Sequence, residues 1–166
     1  MSAPPSRSSV MQRSEMAKTD FTFSMPLRVR WAEVDAQRVV FNANYVNYFS
    51  LALWEYMRAL RFRLVDREDH IDFHTVKISV ELKVPLHFDD EVEIFARASC
   101  IGRTSLTFAL EIYPRDGETM HSSGEIVWVS FDRTNCRPAP VPQALVDLLR
   151  GREGEHMRVK PFVPTD

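Results

Sequence analysis

Two acidic residues, Glu33 and Asp35, lie in the segment RWAEVDAQRVVFNANYVNYF, which spans residues 30–49. Apolar residues just upstream alternate with arginines, as in a strand with one buried face. These apolar residues are Leu27, Val29 and Trp31. If the strand continues, both carboxylates point to the same buried face. Because a buried carboxylate is costly without a partner or a purpose, Asp35 is a candidate functional residue.

A structural alternative for Asp35 stays open at this point. The strand can end near Glu33, leaving the Asp35 side chain to accept a hydrogen bond from its own loop in an Asx-turn. The pattern of residues alone favours the Asx-turn.

Bulk composition indicates one ordinary globular domain. The chain has 166 residues, 45% of them hydrophobic and 27% charged, with a formal net charge of −2. This balance gives no electrostatic basis for binding nucleic acid or an anionic membrane surface. No apolar run approaches the ~18 residues that a membrane span needs. Cys100 and Cys136 lack the paired spacing of a zinc or redox site, so we predict a reduced, cytoplasmic protein.

Hydrophobic periodicity predicts a strand, one long helix and four further strands. The helix covers Tyr45 to Leu60 and is mostly buried, with Asn42 or Asn44 as its N-cap. A short helix near residues 142–149 follows the last strand. The predicted later strands are 76–86, 91–99, 105–113 and 125–132. Short loops between them imply antiparallel neighbours and a sheet wrapped around the helix.

We divide the chain into three parts. Residues 1–22 are predicted to form a disordered tail, residues 23–151 the folded domain, and residues 152–166 a C-terminal tail. The first residues contain no apolar segment typical of secretion, although their arginines leave an organelle transit peptide open.

Four segments between Leu27 and Leu149 resemble the 4-hydroxybenzoyl-CoA thioesterase-like hotdog proteins. They are RVRWAEVDAQRVVFNANYVNYF, PLHFDDEVEIFA, GRTSLTFALEIY and GEIVWVSFDRTNCRPAPVP. The first is the most specific, because Asp, Val-Val, an aromatic residue and Asn-Tyr precede the central helix. The resemblance implies an α+β hotdog fold, in which a curved antiparallel sheet of about five strands wraps around one long helix. It also implies that subunits pair through their sheets as a homodimer or homotetramer.

The same resemblance implies an acyl-CoA thioesterase and assigns its site. The family's catalytic aspartate falls on Asp35, which would attack the thioester carbonyl or activate water. Backbone N–H groups near the start of the helix would hold the oxyanion, around Asn42 with Asn44 and Tyr45 as neighbours. The acyl pocket is expected at the subunit interface. The alternatives are a non-catalytic acyl-thioester binding protein and a thioesterase acting on acyl-carrier-protein substrates.

The chain departs from the family's usual pattern at three positions. Arg38 stands where many relatives have glycine, and Phe41 and Asn42 replace a tyrosine–histidine pair. If the backbone at Arg38 requires a positive φ, arginine costs ~1–2 kcal/mol there, and the alternative is a reshaped loop.

Another branch of hotdog thioesterases uses a carboxylate on the central helix, which makes Glu55 the rival to Asp35. Its neighbour Arg58, three residues later, favours a solvated or ion-paired role for Glu55.

Other polar residues give weaker signals. His70, Asp72 and His74 have a spacing that would place three possible metal ligands on one face of a strand, but loop positions are favoured. The family needs no metal, and we predict no metal and no cofactor. Three arginines are candidates for CoA phosphates, with nothing to choose among them: Arg61, Arg63 and Arg103. Two tryptophans, Trp31 and Trp54, are predicted to belong to the core or a pocket wall.

Overall fold

A computed structural model of the protein describes residues 18–65 and 68–160. Residues 1–17 and 161–166, which belong to the two predicted tails, lie outside the described residues. Two α-helices are present, α1 (Asn42–Ala59) and α2 (Gln143–Glu153). Seven strands follow the chain in this order: β1 (Ser24–Arg28), β2 (Ile71–Leu82), β3 (Glu91–Ile101), β4 (Ser105–Pro114), β5 (Ser122–Asp132), β6 (Arg137–Pro138) and β7 (Arg158–Val159).

The five longer strands form one antiparallel sheet in the order β1-β3-β4-β5-β2. The short β6 extends β5, and β7 runs parallel to β3. The predicted α+β architecture, an antiparallel sheet of about five strands with one long helix, is confirmed. The alternating pattern succeeds because inward side chains of β3 and β4 are fully buried while many of their neighbours are not.

Helix α1 packs one face against the concave side of the sheet. Its buried side chains recur at intervals of three and four residues: Tyr45, Tyr48, Phe49, Ala52, Leu53, Tyr56 and Met57. At Gly124 of β5, an added Cβ would lie 2.4 Å from a ring carbon of Phe49, so only glycine admits that ring. The helix is therefore held close to the sheet.

The opposite face of α1 is exposed in the single chain. Trp54 is 44% exposed, and Trp31, which precedes the helix, is 73% exposed. A core position is therefore wrong for both tryptophans, whereas a place in a pocket wall stays a prediction.

Strand β2 starts and ends earlier than predicted, at Ile71 and Leu82 instead of Val76 and Leu86. It forms one edge of the sheet, and β1 forms the other. Pro26 lies within β1 and provides no backbone N–H there. Strand β2 has no proline and exposes three apolar side chains. These are Val76, Ile78 and Leu82.

The chain beyond residue 151, expected to start a C-terminal tail, packs against the domain as far as residue 160. Glu153 is 1% exposed, and its carboxylate accepts hydrogen bonds from the Tyr56 hydroxyl and the Ala98 amide. Strand β7 then pairs with Cys100 and Ile101 of β3. Among the described residues, no helix has the length and apolar character needed to cross a membrane.

Candidate active site

The segment that joins β1 to α1 carries most of the candidate site residues. Strand β1 ends at Arg28, and a single 3-10 turn follows at Trp31–Glu33. This turn breaks the two-residue alternation of the strand. The expectation that Asp35 continues the buried face of a regular strand is therefore wrong.

Asp35 instead opens a tight turn. Its N–H donates to the carbonyl of Val39 at 2.9 Å, and its own carbonyl accepts the N–H of Arg38 at 2.9 Å. Its Oδ1 accepts the N–H of Gln37 at 2.7 Å, which is the Asx-turn of the structural alternative. Oδ2 makes no hydrogen bond to any described residue, so half of this partly buried carboxylate stays open to a substrate.

Arg38 adopts the left-handed backbone conformation, with φ = 63°. The loop has therefore not been reshaped to accommodate the arginine. The turn keeps a geometry that favours glycine, and the arginine carries the strain.

The start of α1 lies directly after this turn. The cap residue Phe41 provides no side-chain hydrogen bond, so the prediction that an asparagine side chain caps the helix is wrong. The backbone N–H groups of Asn42 and Ala43 have no hydrogen-bond partner within residues 18–65 and 68–160. They are two free donors at the positive end of the helix.

Asn44 and Tyr45 serve the surrounding structure. The side-chain amide of Asn44 donates to the carbonyl oxygen of Glu33 at 2.9 Å. Tyr45 is 2% exposed, and its hydroxyl accepts the N–H of Leu86 at 3.2 Å. Burial raises the pKa of the Tyr45 hydroxyl, so it stays protonated.

The hydrogen bond between Glu33 and Tyr48 was not predicted from the sequence. The Glu33 Oε2 accepts the hydroxyl of Tyr48 at 2.7 Å and the N–H of Arg30 at 2.8 Å. Burial, and then the hydrogen bond to Glu33, raises the pKa of Tyr48 well above its usual range. The alternation that places Glu33 and Asp35 on one face indicated that Glu33 is largely buried. Nothing in the pattern pointed to Tyr48, fifteen residues away.

Glu55 lies far from this turn. It forms an ion pair with Arg58. It follows Asn42 by thirteen residues, which is ~20 Å along the helix axis. The structure therefore separates it from the free amides at the helix start.

The proposed phosphate-binding arginines also lie away from Asp35. Arg61 and Arg63 follow the C-terminal end of α1, and Arg103 lies in the turn between β3 and β4. That turn is at the end of β3 remote from the C-terminus of β1, since Arg28 pairs with Glu91 at the other end.

The three candidates for metal ligands each have a different structural setting. Asp72 forms an ion pair with Arg133 at 3.4 Å, and the ring of His74 stacks on Phe131 with centroids 4.6 Å apart. His70 adopts a positive φ before β2. The described part of the chain brings no three His, Cys, Asp or Glu side chains together as metal ligands.

Two open cavities of about 480 and 520 Å³ flank Leu51 of α1 along β1. They share Met25, Pro26 and Leu51, and neither is lined by Asp35 or Asn42. These cavities therefore do not place an acyl group against Asp35.

Comparisons with known proteins identify related sequences and folds. Residues 29–149 match the family model of the thioesterase-like superfamily. The acyl-CoA thioester hydrolase YbgC of Escherichia coli is 29% identical over 125 residues, which is 75% of this chain and 92% of that protein. A putative esterase of Aquifex aeolicus is 30% identical over 74% of this chain and 94% of its own length.

Solved structures share the architecture. A thioesterase from Thermus thermophilus, complexed with coenzyme A and zinc, superposes with a TM-score of 0.69 and 27% identity, covering 82% of this chain and 97% of that chain. The 1,4-dihydroxy-2-naphthoyl-CoA thioesterase Slr0204 from Synechocystis gives a TM-score of 0.72 at 16% identity, covering 76% and 94%. At that identity the second likeness shows the fold alone.

Proposed function

Since the chain belongs to the thioesterase-like superfamily, we propose that it hydrolyses the thioester bond of an acyl-CoA to a free acid and CoA. The relative named acyl-CoA thioester hydrolase and the neighbour solved with coenzyme A support this reaction. The observation that carries the proposal is that one short segment holds a carboxylate oxygen without a partner, on Asp35, and two unpaired N–H groups at the start of α1, seven and eight residues later.

The two halves of this site supply complementary chemistry. The N–H groups of Asn42 and Ala43 stabilise the negative charge that develops on the thioester oxygen. Asp35 then acts in one of two ways: its Oδ2 attacks the carbonyl carbon, or it removes a proton from an attacking water. In both, the carbon–sulfur bond breaks and CoA leaves as a thiolate that takes up a proton. Attack by Asp35 gives a mixed anhydride, which water then hydrolyses.

We further propose that two copies pair through β2 to form a homodimer, alone or within a homotetramer. The open, apolar edge of β2 can extend the sheet into a second copy, whereas Pro26 blocks the edge of β1. Aromatic side chains near the Asp35 turn are also exposed. They are Trp31, Phe41 and Phe88, at 73%, 51% and 50%. Because Asp35 lines neither of the two cavities beside Leu51, we propose that the partner completes the acyl pocket.

The cytoplasm is the compartment we propose. Cys100 and Cys136 are both free thiols, which suits a reducing environment. The substrate is then an intracellular thioester.

A panel of aliphatic and aromatic acyl-CoAs tests the reaction, with free thiol release followed spectroscopically. We expect release from at least one acyl-CoA by the wild-type protein and loss of that release in Asp35→Asn. The same acyl groups on an acyl-carrier protein form a second panel. Release only from the carrier panel would assign protein-bound substrates, and tight binding without release from either panel would support a non-catalytic acyl-thioester binding protein.

A further inference from the structure

Glu33 joins the Asp35 turn to helix α1 through both its side chain and its backbone. The carboxylate accepts the Tyr48 hydroxyl and the Arg30 N–H, both on Oε2. The carbonyl oxygen accepts the N–H of Phe41 at 2.9 Å and the side-chain amide of Asn44 at 2.9 Å. One residue thus contacts the start of the loop, the helix cap and the first two turns of α1.

The hydrogen bonds of Asp35 itself stay within its own turn. They reach Gln37, Arg38 and Val39, so they orient the carboxylate locally but do not connect it to the helix. Apart from the chain itself and the bridge between Val34 and Val40, the hydrogen bonds from this segment to α1 lie at Glu33, two residues before Asp35. The distance from Asp35 to the free N–H groups of Asn42 and Ala43 therefore depends on Glu33.

We propose that Glu33, anchored by Tyr48, is a positioning residue that holds the Asp35 carboxylate at a fixed place relative to the helix-start amides. The side chain of Glu33 is 15% exposed and that of Tyr48 is buried, which keeps water from competing for the bond between them. Arg30 Nε lies 3.8 Å from Glu33 Oε1 and balances the carboxylate charge.

The geometry also predicts which substitutions preserve this role. Because both side-chain hydrogen bonds end on one oxygen, the carbonyl of a glutamine can accept both of them. Glu33→Gln should therefore retain most of the activity. A second catalytic carboxylate would instead lose its function in Glu33→Gln as fully as in Glu33→Ala.

Helix α1 contains a matched control for Tyr48. Tyr56, eight residues later, is also buried and also donates its hydroxyl to a glutamate, Glu153. Tyr48→Phe and Tyr56→Phe each remove one buried hydroxyl from the same helix. Only the first removes a contact to the Asp35 turn.

The experiment compares steady-state kinetics on the best acyl-CoA with hydrogen exchange of the Phe41 amide. We expect kcat to fall ~10- to 100-fold in Tyr48→Phe and Glu33→Ala, with KM within ~3-fold, because misplacement by ~1 Å can cost this much. Tyr56→Phe and Glu33→Gln should keep kcat within ~3-fold of the wild type, in line with intact positioning of the turn. Exchange at Phe41 should accelerate by ~10-fold or more in Tyr48→Phe and Glu33→Ala, but not in Tyr56→Phe or Glu33→Gln, since local opening governs it.

Three results would overturn the inference: unchanged kcat in Tyr48→Phe, an equal kcat loss in Tyr56→Phe, or Phe41 exchange that does not change. The kinetic arm rests on the proposed function, but the exchange arm does not. A wild-type protein inactive on every acyl-CoA would refute the proposed reaction, and Phe41 exchange alone would then decide whether Tyr48 and Glu33 hold the turn.

Discussion

The Oδ1 atom of Asp35 lies 2.7 Å from the backbone nitrogen of Gln37, while its Oδ2 has no hydrogen-bond partner among the residues that the structure describes. One oxygen therefore fixes the turn and the other is available for chemistry. The Asx-turn is compatible with a catalytic role for Asp35, because such a turn uses only half of a carboxylate.

Asp35→Asn should abolish most thioester hydrolysis without unfolding the protein. The asparagine oxygen can still accept the Gln37 amide, but the amide group is neither a base nor a nucleophile at neutral pH. We expect kcat/KM to fall by ~10²–10⁴-fold, the usual range for loss of a general base. Acyl-CoA turnover and thermal unfolding are the measurements.

Glu55→Gln is the control for that substitution. Glu55 is paired with Arg58 on the exposed side of α1, so its loss should leave turnover close to that of the wild type. If Glu55→Gln lost activity and Asp35→Asn kept it, the carboxylate on the helix would be the catalytic one.

Arg38→Gly should stabilise the protein. Arg38 has φ = 63°, a conformation that costs an L-residue ~1–2 kcal/mol and that glycine adopts without this cost. Glycine also raises the conformational entropy of the unfolded chain, which cancels part of the stability gained. We expect the free energy of unfolding to rise by ~0.5–1 kcal/mol in denaturant titrations. Arg38→Ala retains the strained φ and serves as the control; equal stabilisation by alanine would contradict this explanation.

Ile78→Lys should separate the two subunits. Ile78 is 42% exposed on the free edge of β2, and two copies of a lysine would meet at a twofold interface. Like charges brought together cost several kcal/mol, so we expect the dimer dissociation constant to rise ~100-fold or more, with loss of turnover. Sedimentation velocity measures the change.

Leu148→Lys on α2 places the same charge on a residue that is 40% exposed but lies outside the proposed interface. It should leave the dimer intact. A wild-type protein that sediments as a monomer, or equal dissociation of both variants, would count against pairing through β2.

Glu111→Gln should change how stability depends on pH. Glu111 is 4% exposed on β4, and burial raises its pKa above the usual 4.5, opposed by the hydrogen bond from Tyr113. The folded state therefore holds the proton more tightly than the unfolded state. The stability that Glu111 contributes is complete below about pH 4.5 and is lost as pH rises through the raised pKa.

The glutamine variant does not lose stability in this way as pH rises, because its side chain has no proton to release. Its Tm should exceed that of the wild type at pH 7, with the difference shrinking toward pH 4.5. Glu118→Gln, at a side chain 84% exposed, should show no such trend. A constant Tm difference across this range would rule out titration of Glu111 as the cause.

The sequence was sufficient for the fold because periodicity is a local property. Strands β3 and β4 begin at the predicted residues, Glu91 and Ser105, and the long helix begins three residues before its predicted start, at Asn42. The motif around Asp35 also pointed to the family that the comparisons show. Residues close together in the sequence determine these features, so no tertiary information is needed to find them.

Tertiary structure alone decided how the segment around Asp35 is joined to helix α1. At the end of the 3-10 turn Trp31–Glu33, Glu33 accepts the hydroxyl of Tyr48, a contact across fifteen residues that no periodicity reports. It also decided that Arg38 takes the glycine conformation and that one face of β2 is left uncovered. Alternation tells which residues share a face, but only the packed chain determines what that face contacts, since side-chain hydrogen bonds and burial are set by distance in space.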